Sequence, residues 1–215
     1  MKIQEIIELS GQVFQANKEK GFWDDERTAG ECLALICSEM YEALEADRKG
    51  QKANQGFGGS FNDTPRIQTY KLLSYDCPFH AENFKDYIKD TKEDELSDVL
   101  IRIMDLWGSQ RFYELGDVEA YFQKAFEDFT NEMSPAFMLL QKYKDSFVSF
   151  VYNMSKSMPL EEMVSVGEAG SLVALCHVFI AVWGYCESMN IDIRFHILEK
   201  LKYNKTRAFK HGKKY

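Results

Sequence analysis

The sequence predicts an all-α protein, a compact helical bundle. Three observations carry this expectation. Apolar residues recur at helical spacing over most of the chain, nothing alternates with period two for long enough to require a sheet, and glycines and prolines punctuate the periodic stretches. A chain of 215 residues buries a substantial core without disulfides, so one domain over 1–215 is expected.

The first helix is expected from Ile3 to Lys18, with Ile3, Ile6, Ile7, Val13 and Phe14 as its apolar stripe, ending near Gly21. The second opens within "DDERTAGE" and runs through Leu33, Leu35, Ile36, Met40 and Leu44 to Lys49 and Gly50, a cation and a flexible backbone suited to a helix end. A long insertion at about 50–84 follows, holding the dense glycine cluster "GFGGS", Pro65 and Pro78, with at most one short helix. A lid or substrate-contacting segment and a surface insertion without a role both fit such a stretch.

Helical periodicity returns from Lys92 to Tyr113, where Leu96, Val99, Leu100, Ile103, Met104, Leu106 and Trp107 make a broad apolar face. "GDVEAYFQKAFEDFTNEMS" is a further helix, stopped at Ser134 and Pro135. Three more are expected: "AFMLLQKYKDSFVSFVYNMSK", then "LEEMVSVGEAGSLVALCHVFIAVWGYCESM" with a break at Gly167 or Gly170, then "DIRFHILEKLKYN". "ECLALICSEMYEAL" and "EAGSLVALCHVFIAV" share a texture that reads either as a degenerate repeat at about 135–203 or as two ordinary core helices.

The net charge of -8 argues against general attraction to nucleic acid or an anionic membrane, although the last stretch, "RFHILEKLKYNKTRAFKHGKKY", is basic. Five cysteines, Cys32, Cys37, Cys77, Cys176 and Cys186, form no CxxC pair. Four lie in or near apolar helical segments, which reads as reduced core thiols in a cytoplasmic protein. The amino terminus reads as an amphipathic helix and not as a signal peptide, and no run is long and apolar enough to span a bilayer.

Two acidic pairs stand out, Glu39 with Glu42 in "SEMYEA" and Glu95 with Asp98 in "DELSDV". Residues three apart share a helix face, and apolar neighbours put at least one edge of each pair against the core. If the two helices pack together, four carboxylates converge in a space they share only with a cation. Hard oxygen donors suit magnesium first, or manganese. The alternative is a pair of solvated helix faces. His177 on its apolar stretch reads as a hydrogen-bonded core residue, and His80, His196 and His211 lack the clustering of a zinc site. There is no phosphate-binding G-x-x-x-x-G-K-[ST] loop, serine elbow or nucleic-acid module.

The segments "ECLALICSEMYEALEADRKG" and "KEDELSDVLIRIMDL" resemble the all-helical nucleoside triphosphate pyrophosphohydrolases of the MazG-like superfamily. In that family an ExxE on one helix and an ExxD on the next hold the magnesium that activates water on a nucleotide polyphosphate. The resemblance implies that Glu39, Glu42, Glu95 and Asp98 are the metal ligands and catalytic residues, with Glu39 or Glu42 either ligating or orienting water. "NIDIRFHILEKLKYNKTRAFKHGKKY" looks like the family's terminal helix and tail. It points to Lys200, Asn204 and Arg207, then Lys210 and Lys213, for the polyphosphate, a basic solubilising end being the plainer reading of the tail. Trp23, beside Phe22, is either an aromatic wall for the base or a staple for the following helix. Arg102 either holds a ligating carboxylate in place, approaches phosphate, or makes an ordinary surface pair.

The implied activity is magnesium-dependent hydrolysis of a nucleoside or deoxynucleoside triphosphate to monophosphate and pyrophosphate by a homodimer, or by a monomer if the longer second half completes the site. The implied substrate is a small-molecule nucleotide. A non-catalytic helical nucleotide-binding or regulatory protein is the alternative. The chain departs from the family in the long segment between Glu42 and Glu95 and in the long helical region before the terminal helix.

Overall fold

The computed structural model describes residues 2–53, 79–109, 115–130, 146–158 and 168–209. These residues form eight α-helices and contain no strand: α1 (Ile3–Glu19), α2 (Ala29–Arg48), α3 (His80–Tyr87), α4 (Lys92–Gly108), α5 (Leu115–Thr130), α6 (Phe147–Ser157), α7 (Glu168–Ser188) and α8 (Ile193–Thr206). The helix expected to reach Tyr113 ends at Gly108. Most of the expected insertion, the start of the helix expected from Ala136, much of the suggested repeat, and Cys77, Lys210 and Lys213 lie outside the described residues.

Helix α4 is the centre of the bundle, packing against α1, α2, α5, α7 and α8. Fourteen of its 17 residues are buried, so both its acidic first turns and its apolar remainder face protein. Its start is set by Thr91, whose hydroxyl accepts from the Asp94 N–H at 3.3 Å and donates to the Ile88 carbonyl at 2.7 Å. The apolar half carries Trp107, whose ring meets Phe122 of α5 at 6.0 Å and Phe179 of α7 at 5.2 Å between centroids. Helix α6 joins through Phe150, stacked on Tyr185 of α7 at 4.6 Å.

Helix α2 begins in a capping box. The Glu31 N–H donates to the Thr28 hydroxyl, while the Thr28 N–H donates to the Glu31 carboxylate at 2.7 Å. It ends where Gly50 takes φ +70°, a left-handed conformation that frees its N–H for the Asp47 carbonyl at 3.0 Å. Between α7 and α8 the chain bends by 112°, which returns α8 across α4 and α3. Tyr203 of α8 stacks on Phe84 of α3 at 4.6 Å, in a small second core with Ala53 and Ile88. Lys20 ties down the far end of α8 by donating to the carbonyls of Lys205 at 3.0 Å and Arg207 at 2.5 Å. No described helix is by itself long and apolar enough to cross a membrane. Cys32, Cys37, Cys176 and Cys186 are free thiols, and burial pushes Cys176 up to about 12.

The close approach of α1 to α4 depends on Gly108. A Cβ there would fall 2.2 Å from the Ser10 carbonyl oxygen and 2.8 Å from the Phe14 Cβ, so the helices would have to separate. Gly108→Ala is therefore expected to destabilise the fold by about 1–3 kcal/mol despite alanine's better helix propensity, read by chemical denaturation. A neutral or stabilising result would show that the interface gives way freely.

Candidate metal centre

The packing of α2 on α4 brings together carboxylates that are far apart in sequence. Glu39 and Glu42 on α2 and Glu95 on α4 each offer an oxygen, and the three oxygens lie within 4.8 Å of one another. Glu39 and Glu95 are buried, at 3% and 6% exposure, whereas Glu42 opens to solvent. Asp98, the fourth residue of the two sequence pairs, is half-buried beside them. Its Oδ2 lies 2.7 Å from the Lys200 Nζ of α8.

Two protein cations serve this cluster unequally. Arg102, one turn beyond Asp98, donates from Nε at 3.0 Å and lies with Nη2 at 2.9 Å, both to Glu39 Oε1. Of the roles open to Arg102 in the sequence, the observed one is a contact that orients a carboxylate. Burial works to lower its guanidinium, but the charges of Glu39 and Asp98 outweigh that and hold it above the usual arginine range. Lys200, only 5% exposed, places Nζ 2.8 Å from both oxygens of Asp94 as well as against Asp98. Burial works against its charge too, and Asp98 and Asp94 hold the ammonium well above the ordinary lysine range. Asp94 is pushed up to about 6 by burial, against the pull of Lys200, and stays ionised at neutral pH.

Glu95 is different. Among the described residues no donor pairs with its carboxylate, although the side chain is buried between Asp94, Asp98 and Glu39. Burial first, then the negative charge of Asp98, pushes it up to about 9, so it carries a proton at pH 7. A buried acid with oxygens of two other carboxylates at hand is a place where a metal ion could sit.

The remaining candidates sit around this centre. Lys200 and Asn204, four apart, share a face of α8, and Arg207 follows as its C-cap in extended conformation. Lys200 is the buried inner member. Asn204 is half-buried and accepts from Arg207 Nη1 at 3.4 Å, and the Arg207 guanidinium lies over the Tyr203 ring, 5.7 Å from its centroid. Trp23 packs edge-on to Phe14 at 5.4 Å, and its indole N–H donates to Asp105 Oδ1 at 3.0 Å. These partners belong to α1 and α4, not to the following helix, and Trp23 also borders a narrow cleft lined by Arg27, Arg102 and Asp105. His177 bonds the Val173 carbonyl within its own helix at 2.8 Å.

Sequence reasoning overlooked Asp94, which Lys200 grips, and Asp105. Asp98, Arg102 and Asp105 form a stripe at intervals of four and three down an otherwise apolar helix, a signal that would have found Asp105. Asp105 is 4% exposed. Burial pushes it up to about 6, opposed by the hydrogen bonds from Trp23 and Asn17.

A second acidic group, Asp90, Asp94 and Glu95, shares Glu95 with the first. Either set consists wholly of carboxylate oxygens, the donor type of hard divalent cations, and metal–oxygen bonds of about 2.1–2.5 Å place neighbouring ligand oxygens about 3–5 Å apart. The Glu39, Glu42 and Glu95 oxygens meet that spacing. Compared with known proteins, the chain matches no family model, no curated relative and no solved structure.

Two measurements follow. A divalent cation at Glu95 has to displace its proton, so Mn2+ affinity should rise about tenfold per pH unit between pH 7 and about 9, and this slope should vanish in Glu95→Gln; a flat profile in the wild type would contradict the cluster's role. Asp105 has a folded-state value above its unfolded one, 3.8 against about 6, so its favourable contribution is present below 3.8 and lost as the pH rises through about 6. Asp105→Asn should gain stability relative to wild type between pH 4 and pH 7, by up to about 3 kcal/mol in denaturant titrations.

Proposed function

We propose that the chain is a magnesium-dependent nucleoside triphosphate pyrophosphohydrolase of the MazG-like type, releasing pyrophosphate and a nucleoside monophosphate. The observation that supports this reading above the others is the convergence of Glu39, Glu42 and Glu95 from two helices, with Glu95 buried and met by no donor among the described residues. A solvated helix face would leave Glu39 and Glu95 in water, whereas both are buried. Burying carboxylates together is costly unless a cation completes the group.

Magnesium bound there would neutralise phosphate charge and make a coordinated water a better nucleophile. Glu39, Glu42 and Glu95 would hold it. Arg102 holds Glu39 through Oε1 and so helps to fix the direction of that carboxylate. Glu42, the exposed member, is the residue best placed to meet solvent and to accept a proton from an attacking water. Asp98 borders the group, its Oδ1 unclaimed among the described residues while Oδ2 is held by Lys200.

The face of α8 that begins at Lys200 leads outward past Asn204 to Arg207, and Lys210 and Lys213 follow in sequence. Because Lys200 is committed to Asp94 and Asp98, phosphate contact falls to Asn204, Arg207 and the tail, where arginine offers a bidentate grip and lysine a mobile charge. The substrate is a cellular or modified nucleotide, and a homodimer agrees with the resemblance of the motif segments.

The test is pyrophosphate release across common and modified ribo- and deoxyribonucleoside triphosphates, with magnesium and with chelator. Wild type should release pyrophosphate only with magnesium. Glu39→Gln should lose roughly 100-fold or more in kcat, and Asp98→Asn should lose turnover while keeping its helical content. No product from folded wild-type protein with any of these substrates would overturn the assignment.

A further inference from the structure

We propose that the Lys200 ammonium takes the place of a second divalent cation, so that the centre holds one metal ion and not two. The inference rests on the metal reading above and adds to it the number of ions and the residue that sets that number. Its ground is an asymmetry between two acidic groups that meet at Glu95. In the group formed by Asp90, Asp94 and Glu95, the first two are already matched. Asp94 offers both oxygens to Lys200 Nζ at 2.8 Å and also accepts from the Asp90 N–H at 3.0 Å, and the exposed Asp90 pairs with Lys89. The same ammonium takes Asp98 Oδ2 at 2.7 Å.

In the group formed by Glu39, Glu42 and Glu95, Arg102 claims one oxygen of Glu39, and no described donor claims Glu95. Among the described residues, Lys200 thus already holds Asp94 and Asp98, while Arg102 contacts only Glu39. A second divalent ion would have to sit within hydrogen-bonding distance of a buried ammonium, where like-charge repulsion is least screened. Lys200 is itself fixed from outside the acids: its Nζ lies 5.8 Å from the centroid of Phe84, a fully buried ring of α3. A cation anchored in this way is a permanent part of the site, delivered by the return of α8 across α4.

The experiment counts Mn2+ ions bound per folded chain, by electron paramagnetic resonance of free Mn2+ and by equilibrium dialysis, in wild type and in Lys200→Met. Lys200→Gln, which keeps an amide donor for Asp94, serves as a second variant should the methionine variant fail to fold. The expected result is one ion for wild type and two for the variant, with a larger Mn2+-induced rise in Tm for the variant. Two ions in wild type, or no gained ion in a folded Lys200 variant, would overturn the inference. No ion in wild type but one in the variant would remove the proposed wild-type metal site and still support Lys200 as the occupant of a cation position. No ion in either would overturn both.

Discussion

The structure turns on the burial of charge at the start of its most central helix. Lys92, Glu93, Asp94 and Glu95 are consecutive and all buried, in the first turns of a helix enclosed by five others. The helix dipole favours acids at this end by no more than about 2 kcal/mol, whereas removing each charge from water costs several kcal/mol. Partners from other elements therefore decide whether the arrangement is tolerated. Lys92 reaches Asp47 of α2 at 3.1 Å and lies over the Phe147 ring of α6, and Glu93 accepts from the Ala53 N–H at 2.8 Å. Asp94 takes Lys200 of α8. Each compensating contact also places a helix, so the positions of α2, α6 and α8 around α4 are fixed by charge matching as well as by apolar packing.

Glu95 is the member of this series that no described donor matches, and with Glu39 and Glu42 it forms a group that could hold a metal ion. A buried ion pair is seldom more stable than a well-packed apolar substitute, so a cluster of buried acids has no advantage as scaffold. It does have an advantage as a receptor for a hard cation, because the surrounding ion pairs hold the carboxylates in place before the ion arrives. In the apolar half of α4, Trp107 packs against both Phe122 and Phe179, which also meet each other. Lys200 and Arg102 each hold a carboxylate of the acidic groups by a contact of 3.0 Å or less.

The helical character of the chain was legible because the apolar period along α1, α2 and α4 is strong and the caps at Thr28 and Gly50 are local signals. Glu39, Glu42 and Glu95 were legible for a related reason: spacing puts each pair on one face, and flanking Leu, Ile and Val put that face against the core. The grip of Lys200 on Asp94 was not, because it joins residues that meet only through the 112° bend between α7 and α8. Asp98 reads in sequence as an equal partner of Glu95, yet its neighbour on α8 draws one oxygen away. Trp23 was ambiguous for want of its partner: the indole N–H is satisfied by Asp105, from a helix whose approach the local sequence does not encode.

The most direct measurement of the central claim is an anomalous difference map from crystals grown with Mn2+. A receptor built from Glu39, Glu42 and Glu95 requires a peak within bonding distance, about 2.1–2.3 Å, of carboxylate oxygens from both α2 and α4. Ordered crystals at saturating Mn2+ with no peak there, or with manganese bound only at surface acids elsewhere, would contradict it.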